Sequence, residues 1–298
     1  MIVTDERRPK VPGGGNGYAD LVSTAPSGPP RAAAPHLGLV VRSERLTPNM
    51  HRVVLGGEGL DRFACGAYTD HYVKLMFPRP GVAYDEPFDP ARARAERPRE
   101  EWPVTRTYTV RAWDETAREL TLDFVLHGDS GLAAQWAVHA RPGDPLSFGG
   151  PGGGYTPDPA AGWHLLAGDE SALPAIAAAL ERIPAGAEVT AFVELGDPAD
   201  RQDVPGVTWL HRGDGPIGSA LVPAVLDVKF GDDVHAFVHG EATFVKELRR
   251  YLRVDRAVPR ERLSISGYWR LGHDEDGWQA SKREWNAAIE AEQEPALS

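Results

Sequence analysis

Along the first half of the chain, apolar and polar residues alternate in short runs broken by Gly, Pro and Asn. Alternation with a period of two is the mark of a strand with one buried face. It predicts strands at 37–43, 50–55, 71–77, 104–111, 119–127 and 145–148. One helix falls among them, Leu132 to Ala140, stopped by Pro142 and Gly143. Strands so closely spaced predict an antiparallel barrel or sandwich. The segment "FPRPGVAYDEPFDPARARAERPREEWP" interrupts them and reads as a long loop.

After "GGGYTPDPAAG" the pattern changes. The apolar runs "WHLLAG", "EVTAFVEL", "VTWLHR", "DDVHAFVHG" and "RLSISGYW" read as strands. Helical patterns at 171–182, about 218–226 and 243–253 lie between them. Strand and helix in alternation predict βαβ units on a parallel sheet. The chain therefore divides near residue 160, into an antiparallel β-domain at 35–158 and an α/β domain at 159–272. Residues 1–34, rich in Gly, Pro, Ser and Ala, read as a disordered arm. The stretch "WQASKREWNAAIEAE" predicts a tail helix within 273–298.

Composition narrows the function. The 298 residues are 42% hydrophobic and 25% charged, as in soluble globular proteins. With 32 basic against 43 acidic residues, the net charge of −11 disfavours nucleic acid as a partner. No apolar run approaches the ~20 residues of a membrane span, and the N-terminus lacks a secretory core, so we expect a cytoplasmic protein. We expect a monomer. Cys65 is the single cysteine, which excludes an internal disulfide and a cysteine-ligated iron–sulfur cluster within one chain. His127, His139, His211, His235 and His239 show no metal-ligand spacing, so no protein metal site is expected. No G-x-S-x-G elbow supports a hydrolase.

Some stretches carry candidate chemistry. In "AGDESALPAI" a strand ends at Ala167, Gly168 turns, and a helix follows with Asp169 or Ser171 at its cap and Pro174 in its first turn. Nucleotides bind at such strand ends in open α/β folds, although the G-x-G-x-x-G fingerprint is missing. An ordinary βα turn is the competing reading. "VHGEATF" repeats the arrangement near residue 239. "GGPGGGY" opens no helix and reads as a flexible connector. Arg92, Arg94, Arg97 and Arg99 form either a solvated loop or a positive rim for an anionic substrate.

The stretch "VTRTYTVR" puts Arg106 and Tyr108 on one strand face with Val104 and Val110. Arg106 can fork onto a phosphate, Tyr108 can stack on a planar ring, and Thr109 can hydrogen-bond a ring nitrogen. A strand with a surface arginine and a half-buried tyrosine is the alternative.

Arg106-x-Tyr108-Thr109, followed by "HGDSGLAAQWA" and "RPGD", resembles the flavin-binding domain of the ferredoxin–NADP reductase superfamily. More closely, the chain resembles the siderophore-interacting proteins, which are FAD-dependent ferric-siderophore reductases. The likeness extends to "DHYVKLMFP", "GPGGGY", "LLAGDESALPAI", "VHGEATFVKELRRYLR" and "SISGYWRLG", over roughly residues 36 to 272. It implies an antiparallel FAD-binding barrel followed by an α/β domain for a nicotinamide nucleotide. In that resemblance Arg106 holds the FAD diphosphate, Tyr108 covers the isoalloxazine and Thr109 lies near N5. His127 and Gly128 approach through backbone; Gly131, Ala133 and Ala134 offer helix-terminal amides, with Trp136 behind. Ala134 stands where the family often has Ser, so a hydroxyl contact is lost. NADPH or NADH is placed along Gly168, Asp169, Glu170, Ser171, Gly240, Glu241 and Trp269, with Tyr268 beside it and Arg212 toward a 2′-phosphate. The resemblance implies a ferric siderophore as substrate, flavin chemistry and no conventional catalytic base. A reductase serving another protein and a non-catalytic siderophore or nucleotide carrier are the competing functions.

Overall fold

Strands β1 (His36–Thr47), β2 (Met50–Gly56), β3 (Tyr72–Phe77), β4 (Val104–Asp114), β5 (Glu119–Val125) and β6 (Pro145–Gly152) close into a barrel of order β1-β2-β5-β4-β3-β6. The computed structural model describes residues 34–126, 131–229, 231 and 233–293. The predicted alternation sets the barrel's inside. Val53 and Leu55, Val73, Leu75 and Phe77, and Leu120, Leu122 and Phe124 are buried together there. Every pairing within the barrel is antiparallel.

Two local expectations change. The insert after β3 is not all loop: Pro90–Glu96 form helix α1, whose first amides at Ala91 and Arg92 are capped by the Asp89 carboxylate. Asp before Pro is a helix-start signal that the Pro-rich surroundings masked. The glycines of "GGPGGGY" are not simply a connector either, since Gly149–Gly152 extend β6 alongside β3. A Cβ on Gly152 would collide with the Tyr72 ring, so glycine here lets that ring lie flat across the strand.

Helix α2 (Leu132–His139) leads into β6. The second half is a five-stranded sheet of order β11-β10-β7-β8-β9, made of β7 (Trp163–Asp169), β8 (Glu188–Leu195), β9 (Val207–His211), β10 (Val234–Glu241) and β11 (Leu263–Trp269). All its pairings are parallel, as the strand–helix alternation predicts. Helix α3 (Leu173–Leu180) packs against one face with Leu166, Val193 and Phe237. Helices α4 (Leu221–Asp227) and α5 (Ala242–Arg250) cover the other with Leu165, Ala236 and Val238.

Helix α6 (Glu275–Gln293) returns over β11. Its Trp278 is 1% exposed, donates to the Gly267 carbonyl at 3.4 Å and meets Trp285 edge-on at 5.2 Å. Among the described residues, no helix is long and apolar enough to cross a membrane.

Barrel and sheet are joined by polar contacts. The buried Asp200 carboxylate, after β8, accepts from Thr47 Oγ1 at 2.9 Å and from both the backbone N–H and Nδ2 of Asn49 at 2.8 Å. Arg111 on β4 pairs with Glu181 after α3 at 2.6 Å.

Candidate functional site

The site begins with a seam in the barrel. β4 pairs with β3 from Val104 to Thr109, but with β5 only from Val110 to Asp114. Residues 104–109 therefore keep one edge of the strand open, with backbone groups still to be satisfied. That edge faces a cleft of about 620 Å³. Tyr72, Lys74, Thr107, Tyr108 and Thr109 line it from the barrel, and Ser171, His239, Ser266, Tyr268 and Trp269 from the carboxyl ends of the sheet.

Of the residues predicted for flavin, Tyr108 and Thr109 line the cleft directly. The Tyr108 ring packs on Phe124 at 4.3 Å, and burial raises its hydroxyl pKa. Arg106 donates to the Thr105 carbonyl at 2.8 Å and lies 3.5 Å from Asp276, at the start of α6. Gly131 precedes α2, where Ala133 and Ala134 are buried and Trp136 contacts both Phe77 and Phe124. Helix α2 is thus tied to the Tyr108 ring through Trp136 and Phe124. His127 and Gly128 lie outside the described residues.

The nucleotide set gathers at the strand ends, but its acids are turned inward. Asp169 is fully buried and accepts from Ser171 N–H at 2.9 Å, Ser171 Oγ at 2.5 Å, Glu241 N–H at 2.8 Å and Trp269 Nε1 at 2.9 Å. It ties the ends of β7, β10 and β11 together. Burial pushes its pKa up to about 6. Glu241 caps α5 through the Thr243 N–H and also takes the Leu271 N–H. Gly168 lies beside His239, and Gly240 beside Gly267. Glu170 bonds to Arg212 at 3.1 Å. The arginines of the insert are mostly engaged locally: Arg92 with Asp85 and Glu96, Arg94 with Thr105, Arg97 with Glu101.

Sequence reasoning missed one wall of the cleft. Glu275, Trp278, Gln279 and Lys282 of α6 all line it. Their spacing of three, four and seven is one helical face, a signal present in the chain. Glu275 Oε1 accepts the Thr107 N–H at 2.8 Å, satisfying one group of the open β4 edge. Burial raises the Glu275 pKa and lowers that of Lys282. His239, which shows no metal-ligand spacing in the sequence, lines the cleft. It is buried, stacks on Phe237 at 4.0 Å and shares a hydrogen bond with Ser264 at 2.9 Å. Burial lowers its pKa to about 3, so it stands neutral in the cleft. Among the described residues, no three His, Cys, Asp or Glu side chains are grouped to hold a metal.

Known proteins share this build. The chain is 34% identical to a ferric vibriobactin reductase of Vibrio cholerae, over 83% of this chain and 94% of that protein. It is 32% identical to an NADPH-dependent ferric-chelate reductase of Escherichia coli, over 77% and 91%. The siderophore-interacting protein SipS of Aeromonas hydrophila, 30% identical, superposes with a TM-score of 0.72 over 85% of this chain and 98% of that one. At 17% identity, the ferredoxin reductase of carbazole 1,9a-dioxygenase shares the fold alone, with a TM-score of 0.56 over 79% and 70%. A siderophore-interacting FAD-binding domain matches residues 39–155 and a siderophore-interacting protein domain matches 161–272, and with these relatives they establish that the chain belongs to the siderophore-interacting protein family.

Proposed function

We propose that this chain is an NAD(P)H-dependent flavoprotein that reduces ferric siderophores and releases Fe(II), acting in the cytoplasm during iron acquisition. The observation that carries this reading is the open edge of β4, which faces the carboxyl ends of β7, β10 and β11 across one cleft. The activities of the Vibrio and Escherichia relatives support a ferric chelate as substrate and NADPH as donor, with NADH the alternative nucleotide. Residues 35–158 form the flavin-binding unit in this reading, and 159–272 the nucleotide-binding unit.

The residues present suit FAD. Arg106 offers a guanidinium for the diphosphate, and the Thr109 hydroxyl offers a hydrogen bond along the strand edge. Tyr108, backed by Phe124 and Trp136, offers a flat apolar face. When bound, the flavin supplies the conversion of a hydride equivalent into single electrons. Tyr268 and Trp269 line the cleft from the sheet side. His239, neutral across the physiological range, adds no charge there. Lys74, Arg270 and Lys282 line the cleft and suit the anionic donor oxygens of a ferric chelate. The iron arrives in its own chelator, and its hard oxygen ligands hold it less tightly once it is reduced. No side chain is required as a catalytic base.

The test is anaerobic. Protein, FAD, NADPH and a ferric siderophore are mixed with a ferrous-specific chromogenic chelator. Fe(II) should form only when all four are present. FAD-loaded protein that oxidises NADPH yet yields no Fe(II) from hydroxamate, catecholate or carboxylate chelates would sink the reading.

A further inference from the structure

Three strand ends converge on one guanidinium. Arg212 directly follows β9, with Nη1 3.1 Å from Glu170 Oε1 and 3.7 Å from Glu194 Oε2. Glu170, in the turn after β7, also accepts the N–H of Gly196, the residue after β8, at 2.7 Å. A Cβ on Gly196 would stand 2.7 Å from Arg212 Nη2, so a larger residue there would push the guanidinium aside. The side chains are largely sheltered, at 18% exposure for Arg212 and 13% for Glu170.

The two carboxylates have different work. Glu194 is fully buried and takes the N–H groups of Gly218, Ala220 and Leu221 at 2.6, 2.8 and 3.0 Å, so the start of α4 already compensates its charge. Glu170 lacks that compensation; among the described residues its hydrogen bonds come from Gly196 and Arg212. It is the anion that chiefly counters Arg212.

At the carboxyl ends of parallel strands, an arginine accommodates a nucleotide 2′-phosphate, and an acidic residue suits a free ribose 2′-hydroxyl. This chain carries both, bonded to each other. We infer that Glu170 is a specificity-determining residue: by holding Arg212 in an ion pair, it limits the advantage of a 2′-phosphate over a 2′-hydroxyl. The inference rests on the reading above, that a nicotinamide nucleotide binds at this end of the sheet. A phosphate approaching Arg212 must either break the pair with Glu170 or accept a carboxylate as neighbour. A 2′-hydroxyl meets no such repulsion and can donate to the same carboxylate.

The experiment measures binding without turnover. Adenosine 2′,5′-bisphosphate and 5′-AMP are titrated calorimetrically into the full chain and into E170Q, R212A and the double variant. Glutamine keeps an acceptor for the Gly196 N–H while removing the charge. E170Q should tighten the bisphosphate about tenfold and leave 5′-AMP within about twofold. The selective gain should vanish in the R212A background, which a merely structural role for Glu170 would not produce. An unchanged ratio in E170Q, or the same gain with and without Arg212, overturns the inference and leaves the nucleotide reading standing. Failure of both ligands to bind any of the four proteins overturns the nucleotide reading, and the inference with it.

Discussion

His239 shows how one buried residue sets a pH dependence. Its pKa falls from 6.5 to about 3 on folding, chiefly through desolvation. The unfolded chain therefore takes up a proton below 6.5 that the folded chain refuses, and stability is lost as pH falls. Asp169 works in the opposite sense. Its pKa rises from 3.8 to about 6, so its contribution is present at low pH and lost as pH climbs through 6. The His239 displacement is the larger, and His164 and His235, also lowered by burial, add to it. H239L should reduce the stability lost between pH 7 and pH 5 by about 2 kcal/mol, read from denaturant midpoints. Parallel profiles for the two proteins would show that His239 titrates normally. The histidine was visible in the sequence, but its burial against Phe237 and Tyr268 was not. Likewise Asp169 reads in "AGDES" as a ligand contact, whereas tertiary packing spends its carboxylate on Ser171, Glu241 and Trp269.

At the level of elements, β4 and α6 form adjoining walls of the same cleft. Trp278 anchors the start of α6, and Glu275, three residues earlier, holds the Thr107 N–H. W278A should cost about 3–5 kcal/mol, the usual range for emptying a site of this size. Hydrogen exchange should then speed up at Thr107 as well as along 275–293, because the carboxylate leaves with the helix. Faster exchange in α6 with Thr107 still protected would mean that the two elements are not coupled. Period-two alternation made all six barrel strands legible within a few residues. Period was also enough for α3, α4 and α5, since each repeats an apolar stripe against the sheet. Helix α1 was not legible, because it buries only Pro90 and Ala93 and so has almost no periodicity. Helix α6 was expected as a tail, yet nothing local says that its polar face turns inward to a cleft. The open β4 edge could not be read at all, since strand pairing is a long-range property.

Across the whole molecule, the cleft exists only while barrel and sheet keep their relation. Asp200 fixes it by taking three hydrogen bonds from Thr47 and Asn49 at the β1–β2 turn. D200A strands those donors and should cost about 1–3 kcal/mol. Calorimetry should show a lower and broader transition as the two halves unfold less cooperatively; a wild-type profile would deny Asp200 that role. The two-domain plan was readable from composition and period because each half has its own core. How the halves meet was not, since Asp200 lies in a single 3-10 turn 151 residues from Asn49. The proposed flavoprotein function requires that the open edge of β4 cradle a flavin dinucleotide. Its most direct test is the FAD affinity of R106E/Y108A by fluorescence titration, with folding checked by circular dichroism. Affinity should fall at least about a hundredfold, from one reversed charge and one missing ring. Undiminished affinity in the folded double variant would contradict it.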